Sequence, residues 1–369
     1  MRIAIGSLVV DGPWGGGNFF VKNLSKFLID NGHDVHFDLK ANNLDIILLI
    51  DPRKESLNST FNHHDIQKYK KLINSDAIVV HRINECDERK NTNHLNNFYK
   101  EVNKLIADHT VYVSNWLKLL YEDDNKTNSS VIMSGADETI FNRRGIKNWD
   151  KKSKIKIVTH HWGNHWNKGF EVYKYLDKLM SNNFWKNRLE FTYIGNLPSN
   201  FYFENAKYLK PISGLKLAHE LKNHNLYITG SLNEPSGNHH IEAAQCGLPI
   251  LYIKSGGVPE FASGYGLSFD LSNLEGTLNS IIKNYDIYFE KIKSYPFNST
   301  KMSKDYLDLF LKLHSEAINE NNTIIEMGIY GKYKKYIFKF FYTSKIYLKS
   351  DKVGIKLYRT YLFIKNLVK

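Results

Sequence analysis

The chain has 369 residues, of which 42% are hydrophobic and 24% are charged. These values are typical of a soluble globular protein, and the length is sufficient for two domains with separate cores. Only two cysteines are present, Cys86 and Cys246, so the sequence indicates neither a disulfide framework nor a cysteine-based metal site, and it favours a reducing cytosol. The first ten residues have the pattern of a strand and not of a signal peptide, and no apolar run is long enough to cross a bilayer.

The net charge of +12 is concentrated at the C-terminal end. Residues 327–369 contain eleven Lys and Arg and one acidic residue, which gives +10 and leaves only +2 for the rest of the chain. Apolar residues recur there at helical spacing with lysines between them, as at Tyr330, Tyr333 and Ile337. The pattern favours a basic helical tail on an anionic membrane surface. Packing on the protein with exposed lysines is the main alternative, and nucleic acid is not an expected partner.

The chain begins with a predicted βαβ unit. A strand is predicted at 3–10, and a glycine-rich turn follows at 11–18. Apolar residues then recur at helical spacing up to Leu28, and Gly32 ends the predicted helix before a second strand at 35–39. Strand, helix and strand in this order predict a parallel sheet covered by helices. Further strands are expected at 45–50, 77–83 and 110–113.

The polar segment 147–154 separates this region from a second series of apolar runs. Strands are predicted there at 155–160, 189–194, 225–229 and 250–253, with helices between them. The sequence therefore predicts two Rossmann-like, doubly wound α/β domains that face each other across a ligand cleft. We assign residues 1–150 and 151–300 to these domains, 301–326 to a closing helix centred on 303–317, and 327–369 to the basic tail.

The segment from Glu234 to Ile250 has the order loop, helix, strand. Glu234 precedes a Ser-Gly-Asn turn, and Glu242 follows eight positions later, about one turn into the predicted helix. Gly237 and Asn238 lie where this helix begins, and the exposed N–H groups of a helix start bind anions. Two carboxylates beside an anion site suit a ligand with a phosphate and several hydroxyls, such as a nucleotide sugar. An ordinary αβ turn with solvated carboxylates is the alternative.

Ala-Ala-Gln-Cys-Gly-Leu-Pro at 243–249 and Gly-Gly-Val-Pro-Glu at 256–260 follow the Glu-x7-Glu spacing. Earlier in the chain are Gly16-Gly17, Gly-His-Asp-Val at 32–35 and the pair Lys168-Gly169. Together and in this order, these motifs resemble one family, the retaining glycosyltransferases of family four, also called group one. The resemblance covers residues 1–320 and implies the GT-B fold, in which two Rossmann-like domains face each other.

The resemblance implies a role for each motif. Glu234 takes the position that contacts hydroxyls of the transferred sugar, and Glu242 takes the position that accepts hydrogen bonds from the ribose. Lys168 takes the position that neutralises the donor diphosphate, where a cation stabilises the departing group. In the first domain, the loop of Gly16 and Gly17 takes the position that contacts either the donor phosphate or the acceptor. In the second domain, the backbone amides of Gly237, Asn238 and His239 are expected to contact the sugar and the phosphate of the donor.

The chain departs from the family pattern just before Lys168. The family has Gly-Arg there, with the arginine on the phosphates, whereas this chain has His-His-Trp-Gly-Asn-His-Trp-Asn at 160–167. One of these histidines, or the backbone of Gly163 and Asn164, is expected to replace the arginine, although a histidine loses its charge near neutral pH. A metal site is the less favoured interpretation, because no carboxylate or cysteine completes the histidine cluster.

The strand predicted at 77–83 ends in polar residues. The family often has a histidine at this strand end, close to the reacting sugar. His81 matches that histidine in one register. If the strand runs through Ile83, Asn84 takes the position instead and His81 is only a strand residue. In that second register, Arg82 becomes a candidate contact for a phosphate or for the acceptor.

The resemblance implies transfer of a sugar, with retention of configuration, from a nucleotide-sugar donor to a glycan or lipid-linked glycan, as in synthesis of cell-surface polysaccharides. It implies no metal and no other cofactor, because Lys168 and helix-end amides hold the diphosphate. Two alternatives stay open: an epimerase acting on a nucleotide-linked amino sugar, and a non-catalytic protein that binds a glycan or nucleotide. The expected location is the cytoplasm, with the tail on the inner face of the membrane.

Overall fold

The structure, a computed structural model, describes residues 1–9, 16–54, 56, 58–121 and 128–326. The chain divides into two compact units, residues 1–308 and residues 309–369. The first unit contains two sheets with their helices, which we call the N-terminal and C-terminal lobes. In the second unit the described residues, 309–326, are helical. The predicted basic tail at 327–369 lies outside the described residues and stays a prediction.

The N-terminal lobe is built on a sheet of six parallel strands. In chain order they are β1 (Arg2–Ile5), β2 (Asp34–His36), β3 (Ile46–Leu49), β4 (Ile78–Ile83), β5 (His109–Tyr112) and β6 (Ser129–Val131). Their order in the sheet is β2-β1-β3-β4-β5-β6. Every residue of β3, β4 and β5 is buried, as expected where helices cover both faces of a parallel sheet.

The C-terminal lobe has a second sheet of six parallel strands. In chain order they are β7 (Ile155–His161), β8 (Leu189–Gly195), β9 (Lys207–Leu209), β10 (Leu226–Thr229), β11 (Ile250–Ile253) and β12 (Gly266–Phe269). The order in the sheet is β12-β11-β10-β7-β8-β9. Read from the other edge, this is the 3-2-1-4-5-6 order of dinucleotide-binding folds.

Helices connect the strands in both lobes. In the N-terminal lobe they are α1 (Gly16–Asp30), α2 (His63–Leu72), α3 (Asp87–Lys90), α4 (Leu95–Ile106) and α5 (Asn115–Tyr121). In the C-terminal lobe they are α6 (Phe170–Leu179), α7 (Gly214–Leu221), α8 (Asn238–Gln245), α9 (Val258–Ala262), α10 (Leu274–Lys283) and α11 (Tyr285–Lys291), and α12 (Ser299–Glu326) follows. Within the described residues, no helix is both long and apolar enough to span a membrane.

Each sheet has a switch point, where successive connections leave towards opposite edges. It lies between β7 and β10 in the C-terminal sheet and between β1 and β3 in the N-terminal sheet. Ligands of open α/β sheets bind outside the carboxyl ends of the strands at such points. The topology therefore identifies the loops after β7 and β10, and those after β1 and β3, as the places to look for a site.

Alternating apolar residues of β7 pack on opposite faces of the C-terminal sheet. Ile155 and Ile157 belong to a core that includes Phe170 and Tyr173 of α6. Val158 belongs to a second core, which includes residues of α7 and α8. Burial of one such side chain stabilises the fold by about 1.5–3 kcal/mol. The two cores hold the helices that carry the site against the sheet.

The predicted fold class is confirmed, but some elements differ from the predictions. Strands β6, β9 and β12 were not predicted, and all three lie at sheet edges, where they are short and carry no continuous apolar run. The strand predicted at 3–10 is too long, because β1 ends at Ile5. Leu8 and Val9 are exposed, and the Leu8 N–H bonds to the Asn58 carbonyl outside the sheet.

Residues outside the cleft lining also join the lobes. Glu260 of α9 accepts hydrogen bonds from the N–H groups of Asn115 at 2.8 Å and Trp116 at 2.7 Å. A carboxylate of the C-terminal lobe therefore caps α5 of the N-terminal lobe, where it compensates the partial positive charge of the helix start. Tyr306 of α12 packs on Phe20 of α1, with 5.3 Å between the ring centroids.

Candidate active site

A cleft of about 340 Å³ lies between the two sheets. The N-terminal lobe contributes the first turn of α1 and residues at the end of β4. The C-terminal lobe contributes the end of β7, the loops after β7 and β10, and the start of α8. The titratable side chains that line the cleft are Arg82, Glu85, Arg89, Lys90, His160, His161, His165, Lys168, Glu234, His239 and Glu242.

The loop after β10 carries Glu234, and glycines of the next loop support it. Gly256 has a φ of +62°, and a Cβ there would lie 2.5 Å from the backbone of Glu234. Gly257 donates its N–H to the Glu234 carbonyl at 2.9 Å, and a Cβ there would lie 2.3 Å from the Pro235 carbonyl oxygen. Both positions require glycine. The Gly-Gly pair of the motif therefore acts by holding the backbone of Glu234.

An ion cluster joins the two lobes at Glu234. Lys168 Nζ donates to Glu234 Oε2 at 2.5 Å, and Arg89 Nε, from the N-terminal lobe, forms an ion pair with Oε1 at 3.0 Å. Arg89 also donates to Glu85, and Lys90 Nζ lies 3.3 Å from Glu85 Oε2. The side chains of Lys168 and Glu234 are only 8% and 7% exposed, so salt screens this pair weakly. We call these five residues the interlobe ion cluster.

The cluster determines the protonation of Glu234. Burial alone raises the pKa of a carboxyl, but the charges of Lys168 and Arg89 outweigh burial and hold the pKa of Glu234 well below its usual range. Burial lowers the pKa of Lys168, and Glu234 opposes that effect. Three cations and two carboxylates leave the interlobe ion cluster with a charge of +1. A focused positive charge in a cleft favours an anionic ligand.

Glu242 lies on α8, whose start faces the cleft. Gly237 precedes the helix with a φ of +73°, and a Cβ there would lie 2.7 Å from the His240 ring and 2.9 Å from the Glu234 side chain. His160 Nε2 hydrogen-bonds to Glu242 Oε2 at 3.0 Å, which orients the carboxylate beside the end of β7. Gly237, Asn238 and His239 all line the cleft. The first turn of α8 therefore presents N–H groups towards a ligand there.

Buried histidines form the wall of the C-terminal lobe. His161 Nε2 lies 2.6 Å from the Tyr173 hydroxyl, and His239 Nε2 lies 3.0 Å from Thr229 Oγ1. Burial lowers the pKa of His161 and His239 well below the usual value, and it lowers the pKa of His240 to about 3. These three rings are therefore uncharged at neutral pH and do not supply the charge of the absent arginine. No three His, Cys, Asp or Glu side chains in the described ranges are grouped to hold a metal ion.

Strand β4 runs through Ile83, which decides between the two registers that the sequence left open. Asn84 follows the strand and lines the cleft. His81 is fully buried in the N-terminal lobe, where Nδ1 hydrogen-bonds to Asn103 Oδ1 at 2.5 Å and the ring packs on Tyr99. The structure therefore brings Asn84, and not His81, to the cleft.

The remaining predicted residues lie in two loops. Gly16 begins α1, and Gly17 lines the cleft in its first turn. Gly163 also lines the cleft, and a Cβ there would lie 3.2 Å from Lys168 Cε. Asn164 is exposed, is not among the lining residues, and donates from its amide to the Leu197 carbonyl at 3.4 Å. Of this pair, only Gly163 is placed to meet a ligand.

The sequence did not identify Arg89 or Glu85 as site residues. Both belong to the charged run Glu-Cys-Asp-Glu-Arg-Lys at 85–90, which begins two residues after the end of β4. A charged run at the carboxyl end of a parallel strand is a usable signal for a site. The contact between Arg89 and Glu234 was not predictable, because it depends on how the two lobes face each other. The bond between His160 and Glu242 was missed for a similar reason, since β7 and α8 are far apart in the chain.

The buried His81 predicts a pH dependence of stability. Burial lowers its pKa from 6.5 to about 4. The folded protein therefore binds fewer protons than the unfolded chain below pH 6.5, and stability is lost as the pH falls towards 4. At pH 5 this residue alone lowers the free energy of unfolding by about 2 kcal/mol relative to pH 7.5. His81→Gln, which retains a partner for Asn103, is expected to remove that part of the loss in denaturant unfolding at the two pH values.

The matched control for this measurement is His64→Gln, which alters an exposed histidine on α2. We expect the control to lose as much stability between pH 7.5 and pH 5 as the wild type. Comparison of the two pH values within each variant separates the titration from any change in packing. An equal loss in His81→Gln and in the wild type would contradict a buried, neutral His81.

No known family model matches the chain. In sequence, the chain is similar to the phosphatidylinositol N-acetylglucosaminyltransferase gpi3 subunit of Schizosaccharomyces pombe, with 33% identity over 104 residues. The match covers 26% of this chain and 22% of that protein. The chain thus corresponds to about a fifth of the length of this curated relative.

Solved structures resemble this one over most of its length. The sucrose-phosphate synthase of Thermosynechococcus elongatus has a TM-score of 0.60 at 14% identity, and the alignment covers 85% of this chain and 99% of that one. Anabaena Alr3699/HepE in complex with UDP and glucose has a TM-score of 0.59 at 11% identity, over 85% and 100% of the two chains. At these identities the likeness establishes the fold alone. The described residues have the GT-B architecture of two facing Rossmann-like domains.

Proposed function

We propose that this protein is a glycosyltransferase that moves a sugar from a nucleotide-sugar donor to a hydroxyl group of a glycan or lipid-linked glycan. The observation that carries the proposal is the placement of Glu234, Glu242 and Lys168 in one cleft at the switch point of the C-terminal sheet. The proteins of similar sequence or structure support the same class. They include an N-acetylglucosaminyltransferase subunit, a sucrose-phosphate synthase, and a protein crystallised with UDP and glucose.

In this proposal, donor binding exchanges the partners of Glu234. In the structure Glu234 binds both Lys168 and Arg89. The diphosphate of the donor is a stronger competitor for these cations, because it carries two negative charges. Glu234 then accepts hydrogen bonds from hydroxyls of the transferred sugar. Lys168 and Arg89 stabilise the charge that develops on the departing diphosphate, which lowers the barrier to transfer.

Arg89 replaces the arginine that the family has just before Lys168. It belongs to the N-terminal lobe, so stabilisation of the leaving group depends on contact between the lobes. The same closure excludes water, which would otherwise hydrolyse the donor. The positive charge comes from side chains, and we propose that the reaction needs no metal.

The remaining groups have defined roles in the proposal. Glu242, oriented by His160, accepts hydrogen bonds from the ribose, and the N–H groups of Gly237 and Asn238 bind a phosphate. The acceptor enters on the N-terminal side, beside Asn84. We propose retention of configuration, with the acceptor hydroxyl attacking on the face that the diphosphate leaves and the departing phosphate taking its proton.

The test is nucleotide release from a panel of UDP-, GDP-, ADP- and CMP-linked sugars, supplied with glycan acceptors. We expect the wild type to release one nucleotide. Lys168→Met is expected to lower kcat about 30- to 1,000-fold, which corresponds to a transition-state contact of about 2–4 kcal/mol. Glu242→Ala is expected to raise the KM for the donor. Lys174→Met, a change of an exposed lysine on α6, is the matched control.

The outcomes separate the candidate functions. Unchanged release in both Lys168→Met and Glu242→Ala would remove the site assignment. An isomerised nucleotide sugar, or free sugar without transfer to an acceptor, would favour the epimerase. Donor binding in a thermal-shift screen without turnover of any donor would favour a non-catalytic binding protein.

We propose in addition that residues 327–369 hold the enzyme on the anionic inner face of a membrane. The support is the net charge of +10 in this segment, with apolar residues between its lysines. Deletion of these residues should abolish co-sedimentation with phosphatidylserine vesicles and leave nucleotide release in solution unchanged. Neutral phosphatidylcholine vesicles are the control. Vesicle binding that survives the deletion would end this assignment.

A further inference from the structure

Arg82 is a buried cation in the cleft wall that the proposed donor chemistry does not use. It lies near the end of β4, its relative exposure is 5%, and it lines the cleft. Its Nε and Nη1 atoms are buried without a hydrogen-bond partner among the described residues. A guanidinium stays protonated in proteins, and a buried charge without an anionic partner is costly. A buried guanidinium of this kind favours the binding of an anion in the cleft.

The neighbours of Arg82 orient its charge without neutralising it. The guanidinium carbon lies 4.0 Å from the centroid of the Phe20 ring, a cation–π contact. The Tyr306 hydroxyl lies beside it, and Glu85 acts on it electrostatically. Glu85, however, already binds Arg89 and Lys90 in the interlobe ion cluster. The planar guanidinium is therefore held in place while its Nε and Nη1 donors have no acceptor among the described residues.

Helix α1 begins at the same part of the cleft. Gly17 and Phe19 of its first turn line the cleft together with Arg82 and Asn84. The first N–H groups of a helix have no acceptor within the helix, and the helix dipole adds partial positive charge there. A helix start beside a guanidinium is suited to an oxyanion such as a phosphate.

We propose that Arg82 and the start of α1 form a subsite for an oxyanion of the acceptor, so that the acceptor carries a phosphate-type group. The assignment rests on the proposed function, in which the C-terminal lobe holds the donor and the N-terminal lobe holds the acceptor. The donor diphosphate is the other source of such an anion. Lys168 and Arg89 already match its two charges, which leaves Arg82 for the acceptor.

The experiment measures binding of inorganic phosphate to the full chain by calorimetry, with sodium chloride at equal ionic strength as the control. Saturating UDP, or the nucleoside diphosphate that the donor panel identifies, fills the donor site. We expect phosphate to bind in the presence of the nucleotide. Arg82→Gln should weaken phosphate binding at least tenfold, and Arg82→Lys should weaken it less, because a cation remains. Lys168→Met should leave phosphate affinity within twofold of the wild type.

Any of four results would overturn the acceptor subsite: no phosphate binding, equal phosphate binding by Arg82→Gln and the wild type, loss of phosphate binding on addition of nucleotide, or loss of phosphate binding in Lys168→Met. Either of the last two would assign the anion to the donor. If Arg82→Gln does not fold, the nucleotide competition and the Lys168→Met variant still decide whether the bound phosphate represents the acceptor or the donor. Phosphate binding needs no turnover, so its failure leaves the donor proposal standing. Failure of the donor panel still leaves the comparison of Arg82→Gln with the wild type in saturating UDP.

Discussion

The ion pairs of the buried Glu234 carboxylate are the interaction on which the arrangement of the cleft depends. A side chain with 7% exposure retains a negative charge only with close partners. One partner, Lys168, comes from the loop after β7, and the other, Arg89, comes from the opposite lobe. Removal of either partner leaves this buried carboxylate with only one cation beside it, which is more costly than the loss of an exposed ion pair. Local charge and the relative position of the lobes are therefore coupled.

The backbone around Glu234 is as constrained as its charge. Gly256 and Gly257 lie too close to the Glu234–Pro235 segment to carry a Cβ, and Gly237 lies too close to the side chains of Glu234 and His240. A side chain at any of these three glycines would therefore displace the Glu234–Pro235 segment or the side chains beside it. The neutral histidines behind them are polar without being charged. They therefore add no positive charge to that of the interlobe ion cluster.

The parts of the structure that depend on local pattern were predictable from the sequence. Buried strands with helices between them predicted two doubly wound sheets, and the spacing of Glu234 and Glu242 across a helix start placed both in one loop system. The edge strands β6, β9 and β12 were not predicted because they are short and partly exposed. His81 remained undecided because the sequence left the end of β4 open, and that end decides whether His81 or Asn84 reaches the cleft. Arg89 was not predicted as a site residue because its partner, Glu234, lies in the other lobe, and no local sequence pattern indicates that contact.

The most direct measurement is a crystal structure of the protein with a bound nucleoside diphosphate. If Glu234 exchanges its partners, Lys168 Nζ and the Arg89 guanidinium will lie about 3 Å from phosphate oxygens. The Glu242 carboxylate will then contact the ribose hydroxyls, and the Glu234 carboxylate will face the position of the sugar. A complex in which Lys168 and Glu234 remain paired while the diphosphate lies elsewhere would contradict the proposed role of the interlobe ion cluster.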